Sequence, residues 1–448
     1  MPPIIGNTTT TGENAAAPLT GAELVRGVQA GGNVKMTTQS IANLGYESPL
    51  TTKGDITAFS GSADERLPVG ADGLQLVADH TQPLGLKWYD AVGAFVTMLA
   101  TSVGAALIGF VQAGTGAVLR TLQGRARDTI NIKDFGAVCD GTTDDTAAIQ
   151  AAIAYAGQTF DADWFSNSTY AAPRVVEFPG SACHVSGKIL VPRGVVLQGN
   201  QCTLLGASTN TCFESAYFNA GVLTTNIGTA AESHRLQFTR IEGFRFVSFL
   251  IGLNLYDFNE GCRVGDNAFS GCQQAWVANR CFYAQFDNNA SRGTMNATAL
   301  AAYEFDNFVN VQTIESNFCI GRTLCFLFQG GVNGLSIRNN SCESCTTGMK
   351  FLGEVNPVNI DSNYFENITG TAIDMTDGNA HRAVTIDNNF FQLVGTGISG
   401  VQMVGGRIGA GNYFLTTTTP VSIADVVSTI TVEIPTSRIA SGYPALPS

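Results

Sequence analysis

A hexad recurs through the second half of the chain, and no other feature restricts its fold as tightly. IEGFRF begins at Ile241, VGDNAF at Val264, FDNNAS at Phe286, IESNFC at Ile314, IRNNSC at Ile337, IDSNYF at Ile360 and IDNNFF at Ile386. A looser copy, IGAGNYF, begins at Ile408. Successive starts lie 23, 22, 28, 23, 23, 26 and 22 residues apart. Leu253, Trp276, Phe326, Met349, Ile373 and Ile398 form a second apolar column, and Leu255, Ala278, Phe328, Phe351 and Met375 follow two residues later. Apolar residues two apart on one side and polar residues between them are strand periodicity. Each repeat therefore holds at least two short strands joined by Gly and Asn turns. Units of this length, unable to bury a core alone, stack as rungs of a parallel β-helix.

Two columns inside the hexad support the stack. Asn267, Asn289, Asn317, Asn340, Asn363 and Asn389 hold one place in successive rungs, where each amide can bond to the next and Asn tolerates left-handed backbone. Twenty of the 31 Asn lie between residues 251 and 400, so the Asn enrichment belongs to the repeat. Phe246, Phe269, Cys319, Cys342, Phe365 and Phe391 form an inward column, which explains Cys319 and Cys342 as core filling.

Composition agrees. Charged residues are 13% and Gly numbers 50 of 448, which suits turn-rich β-structure and excludes a coiled coil or helical bundle. A net charge of −12 without a Lys/Arg run speaks against a nucleic-acid partner. The eleven Cys show only one C-x₂-C, Cys342 and Cys345, and the four His are scattered, so neither a metal nor a cofactor is expected. The N-terminal residues lack the pattern of a secretory signal, so folding in a reducing cytoplasm with most Cys as buried apolar residues is expected. Residues 91–112 are uncharged and long enough for a bilayer, but Gly93, Gly104, Gly109, Thr97, Thr101 and Ser102 interrupt them. We read no membrane span there, but an apolar neck buried between subunits.

Upstream, 174–207 is a run of short Val/Ile/Leu strands that looks like the first rungs. DDTAAIQAAIAYAG (144–157) is a helix with Asp144 as its expected N-cap and Gly157 as its stop. Such a helix caps the open end of the stack, an edge that otherwise invites aggregation.

NIKDFGAVCDGTTDDTAAIQAAIAYA (131–156) resembles the opening motif of the pectate-lyase-like superfamily, in the form found where phage tailspike β-helices begin. Asp134, Phe135, Gly136, Asp140, Gly141, Asp144, Asp145, Thr146, Ala148, Ile149 and Gln150 match it, while Cys139 stands where Gly is usual. Residues 104–136 are similar to a tailspike neck, and 51–88 to a small module of phage tail fibres. The resemblance covers about residues 50–207. It implies a right-handed parallel β-helix, a parallel homotrimer and a virion-anchoring N-terminus. The motif is structural and carries over no catalytic residue. We expect no large C-terminal domain of the kind tailspikes often have after Leu415.

Glycan-cleaving β-helices need outward carboxylates, one protonated as acid and one ionised. The second hexad position reads Glu242, Gly265, Asp287, Glu315, Arg338, Asp361 and Asp387. Its adjacent acids, Asp287 with Glu315 and Asp361 with Asp387, lie about 4.8 Å apart by rung spacing, and like charges raise one pKa. Arg338 can instead neutralise the stack. The second candidate is the long rung between Phe286 and Ile314, where Glu304 and Asp306 point outward beneath the loop ASRGTMNATALAA. A solvated strand residue is the plain alternative. We expect catalysis, if present, at Glu304 and Asp306 with Glu315 or Asp287 nearby, and next at Asp361 and Asp387.

The expected organisation is a virion-attachment segment (1–50), a tail-fibre-like module (51–89), a trimerising neck (90–127), the β-helix (128–415) and a short cap or tail (416–448). The function this implies is a tailspike on the phage tail. Its N-terminus would dock on tail, baseplate or adaptor proteins, and its β-helix would bind, and possess or lack the power to depolymerise, host surface polysaccharide (lipopolysaccharide or capsule). A non-catalytic adhesin and a free pectate-lyase-like enzyme are the alternatives.

Overall fold

The computed structural model describes residues 24–29, 32–37, 48–158, 173–219, 222–225, 235–293, 301–310, 312–424 and 429–440. The chain divides into two compact units, Met1–Arg125 and Ala126–Ser448.

The first unit holds short antiparallel hairpins, among them Ile56–Phe59 with Asp64–Leu67 and Gln75–Ala78 with Leu86–Tyr89. Asp55 ties the first of these together. Its carboxylate takes the Arg66 guanidinium at 2.6 Å and the N–H groups of Thr51, Thr52 and Val69. Helix α1 (Ala91–Leu99) starts at Asp90, whose side chain accepts from the Gly93 N–H at 2.6 Å. It has no buried residue, and Val92, Phe95 and Val96 are more than half exposed.

The second unit is a parallel solenoid in which each central rung contributes three strands. The first lies in a 12-stranded sheet and the other two in a 21-stranded sheet that wraps around a corner. In one rung these are Thr313–Glu315, Phe318–Ile320 and Leu324–Gln329. We call the three surfaces the first, second and third faces. Neighbouring rungs pair in parallel, as Ile314 with Ile337, Cys319 with Cys342 and Phe326 with Met349. Both expected apolar columns point inward: Trp276, Phe326, Met349, Phe365 and Phe391 are fully buried. Stacked rings run along the core, with Phe305, Phe328 and Phe351 at 5.2 and 4.6 Å, and Phe365, Phe391 and Phe414 at 5.0 and 4.6 Å.

The Asn column is a hydrogen-bonded ladder. Each Nδ2 donates to the next Oδ1: Asn267 to Asn289 (3.1 Å), Asn289 to Asn317 (2.9 Å), Asn317 to Asn340 (3.0 Å), and on through Asn363 and Asn389 to Asn412 (3.0 Å each). The left-handed backbone expected of these Asn belongs instead to the residue before each: Asp266, Asn288, Ser316, Asn339, Ser362 and Asn388 have φ between 55° and 59°. That residue turns the corner and faces water. The ladder Asn follows it inward, where its amide replaces main-chain partners that the bend removes.

Helix α2 (Thr146–Gly157) buries Ile149, Ala152, Ile153 and Ala156 against the first rungs. Its N-cap is Asp145, not Asp144. Asp145 is buried and turns back to accept from Val138 N–H and Cys139 N–H, while Asp144 accepts from Thr146 and Ser186. Cys139 is bonded to Cys183, and Cys319 to Cys325. Cys319 is therefore more than core filling, because its neighbour on the adjoining strand comes within bonding reach. Cys342 and the other six unbonded Cys are buried. Rung pairing also runs past residue 415. Thr419–Ile423, Thr431–Val432 and Ile439–Ala440 continue the sheets by pairing with Phe390–Gly400, Met403–Ile408 and Tyr413–Leu415.

Candidate functional site

Glu304 occupies the middle of Tyr303–Asp306 on the third face. Tyr303 and Phe305 fill the core on either side of it, so strand alternation turns Glu304 and Asp306 outward. Its register neighbours, Val277 and Leu327, are apolar. Although outward, Glu304 is only 5% exposed. Two neutral amides hold it: Gln274 Nε2 donates to Oε2 at 2.7 Å, and Gln329 Nε2 donates to Oε1 at 2.8 Å. Burial pushes its carboxyl pKa up, and the Asp306 charge adds to the rise; the two amide donors oppose it. No Lys or Arg pairs with it among the described residues. Asp306 is half-buried and accepts from Asn279 Nδ2 at 3.2 Å. Of the loop expected to cover this rung, residues 294–300 lie outside the described residues.

Asp287 and Glu315 lie elsewhere, on the first face, as direct register partners. The whole expected column is in register, from Glu242 through Gly265, Asp287, Glu315, Arg338 and Asp361 to Asp387. Cations neutralise most of it. Arg263 clamps Asp287 through Nε (2.8 Å) and a terminal nitrogen (2.5 Å), and also reaches Glu242 and Asp266 at 2.9 Å. Arg338 pairs with Glu315 at 2.7 Å and Arg407 with Asp387 at 2.5 Å. Asp361 is held by Asn388 and Ser362. Asp287, Glu315 and Arg338, with Gln285, Asn288, Thr313 and Ser316, line a cavity of about 430 Å³. The structure therefore joins Glu304 to Asp306 and Asp287 to Glu315, and sets the two pairs on different faces. No hydrogen bond or ion pair links the pairs among the described residues.

The two pairs suit different chemistry. Asp287 and Glu315 are each bonded to a guanidinium, and beside it they present carboxylate oxygens that can accept from ligand hydroxyls. Glu304 is a buried carboxyl with neutral partners, the environment in which a general acid stays protonated. Gln274 and Gln329, which sequence reasoning did not single out, fix its orientation. Following the Asp306 column one rung on leads to Gln329, so that residue was within reach of the register. Among the described residues, the one grouping of thiols and carboxylate dense enough for a metal ion, Cys139, Asp145 and Cys183, has both sulfurs bonded to each other and its carboxylate taken by main-chain N–H groups.

Residues 129–399 match the family model described as rhamnogalacturonase A/epimerase, pectate lyase-like. The chain belongs to this family. As a pectate lyase-like protein it is also similar, at 37% identity over 100 residues, to the non-secreted LysM effector LysM19 of Penicillium expansum, a stretch that is 22% of this chain and 7% of that protein. The chain thus spans only a small part of that relative's length. Among solved structures it is similar to a tailspike protein of E. coli bacteriophage HK620 (11% identity, TM-score 0.40, 77% of this chain and 84% of that one). It is likewise similar to tailspike protein 3 of bacteriophage CBA120 (13% identity, TM-score 0.39, 92% and 82%). Some of the HK620 proteins were solved in complex with a pentasaccharide.

Proposed function

We propose that the protein is a phage tailspike whose solenoid binds host surface polysaccharide and cleaves it with Glu304 as general acid. The observation that carries the reading is Glu304 itself: an outward carboxyl that is buried, un-neutralised and gripped through both oxygens. A purely structural acid at such a position costs stability and contributes no packing that an apolar residue would not. Asp306, two residues on and bonded to Asn279, is the second carboxyl of the pair, and the Asp287–Glu315 cavity is a separate polar subsite. The exposed apolar surface of α1, with Val103, Leu107, Val118 and Leu119 beyond it, supports assembly as a parallel homotrimer. The segment before the neck attaches the spike to the tail. Incubating the purified protein with host lipopolysaccharide or capsule and measuring released oligosaccharides tests the reading. Binding without release replaces the depolymerase with an adhesin.

A further inference from the structure

On the outer side of the second face, one position per rung forms the column Ala290, Phe318, Ser341, Tyr364, Phe390 and Tyr413, each in register with the next. From Phe318 onward it is aromatic at every rung but one. Tyr364, Phe390 and Tyr413 stack with centroids 5.6 and 5.4 Å apart and planes within 8° and 11° of parallel. Such a ladder covers ring faces and leaves edges to solvent. Tyr364 differs: Phe390 covers one of its faces, but the rung on the other side carries Ser341, too short to cover the second. Phe318 stands on the far side of Ser341. Its opposite face is taken by the Arg292 guanidinium, 4.8 Å from the ring centre and one rung earlier. Phe318 and Tyr364 are thus two rungs apart, about 9.6 Å, which is the separation at which one inserted ring stacks on both.

The surroundings are polar acceptors. Ser341 Oγ donates to Glu343 at 2.7 Å, and Tyr364 OH donates to Glu366 at 2.9 Å. Glu343 and Glu366 are register partners, and neither pairs with a Lys or Arg among the described residues. We propose that the gap over Ser341, walled by Phe318 and Tyr364, binds one pyranose ring of a polysaccharide, its C–H face on the aromatic walls and its hydroxyls on Glu343. Two uncompensated carboxylates oppose burial against a second copy of a chain of net charge −12. A neutral ligand rich in hydroxyl donors meets them without that cost. The inference rests on the polysaccharide reading but concerns a different face from Glu304.

The test is binding of the full chain to an array of bacterial lipopolysaccharides and capsular polysaccharides, with affinity measured for each glycan bound. Tyr364→Ala should weaken binding about tenfold, the loss of one ring stack. Ser341→Trp completes the ladder, so it should abolish binding and raise Tm. Wild-type affinity in a folded Tyr364→Ala or Ser341→Trp variant overturns the slot and leaves the polysaccharide reading standing. If the wild type binds no glycan on the array, both fall together.

Discussion

Gln329 donates its side-chain amide to Glu304 at 2.8 Å across one rung, and Gln274 does the same from the rung before at 2.7 Å. Neither donor carries charge, so the carboxyl keeps the penalty of burial that a guanidinium would have offset. Both amides can also turn to present their carbonyl oxygens and receive the proton of a neutral Glu304. The pair therefore fixes the carboxyl's position in either protonation state.

Glu304→Gln keeps size and most hydrogen bonds but removes the titrating proton. It should lower depolymerisation roughly 10²–10⁴-fold with circular dichroism and glycan affinity unchanged. Oligosaccharide release at the wild-type rate would place the acid elsewhere, with Asp361 and Asp387 next to test.

The same substitution should show a pH signature in stability. The folded pKa of Glu304 lies above its unfolded value, so ionisation opposes folding as pH rises from the unfolded towards the folded pKa. Glu304→Gln should therefore have a higher Tm than wild type at pH 8, a difference that shrinks as pH falls below the unfolded pKa, where both states become protonated. Thermal melts across that range check it. Activity, which needs the protonated acid, should fall as pH rises past the folded pKa.

Asn340→Ala breaks the ladder at its centre. Asn317 loses the acceptor for its main-chain and side-chain N–H at 3.0 Å, and the carbonyl of Ile314 loses its donor. Each buried group left unpaired costs about 1–3 kcal/mol, so urea unfolding should shift by at least that amount. Asn288→Ala, on the exposed corner, should cost less.

Arg263→Ala leaves Asp287, Glu242 and Asp266 without their shared cation. These side chains are 25–42% exposed, so solvent screening limits the loss to about 1 kcal/mol. The difference from wild type should narrow in high salt. A loss of several kcal/mol would mean that the clamp is effectively buried.

The apolar residues of α1 predict association. Light scattering without detergent should give a trimer for the full chain, and removal of residues 1–125 should leave a soluble solenoid. A full-length monomer at micromolar concentration would contradict the trimeric reading.

The repeat was legible in the sequence because stacking rungs forces equivalent residues into columns, and a column appears as a period. The inward column from Phe246 to Phe391, the Asn ladder and the register of Asp287 with Glu315 all follow from counting between hexads. Strand alternation alone turns Glu304 outward. What the period leaves undetermined is set by side chains meeting across rungs. Arg263 reaches acids 21 and 24 residues away and a third, Asp266, at the corner just past its own strand, so the acid column is neutralised as much by a neighbour outside it as by Arg338 within it. The sequence leaves Glu304 either sheltered by the loop or solvated; two partners it does not single out, Gln274 and Gln329, 30 and 25 residues distant, hold it in the fold. Cys319 reads as one core residue in a column until the turn after it brings Cys325 alongside. The gap over Ser341 is a property of three rungs together, because a short side chain becomes a slot only when rings stand on both sides. Local pattern fixes which way a residue points, but its charge state and accessibility depend on what the fold packs around it.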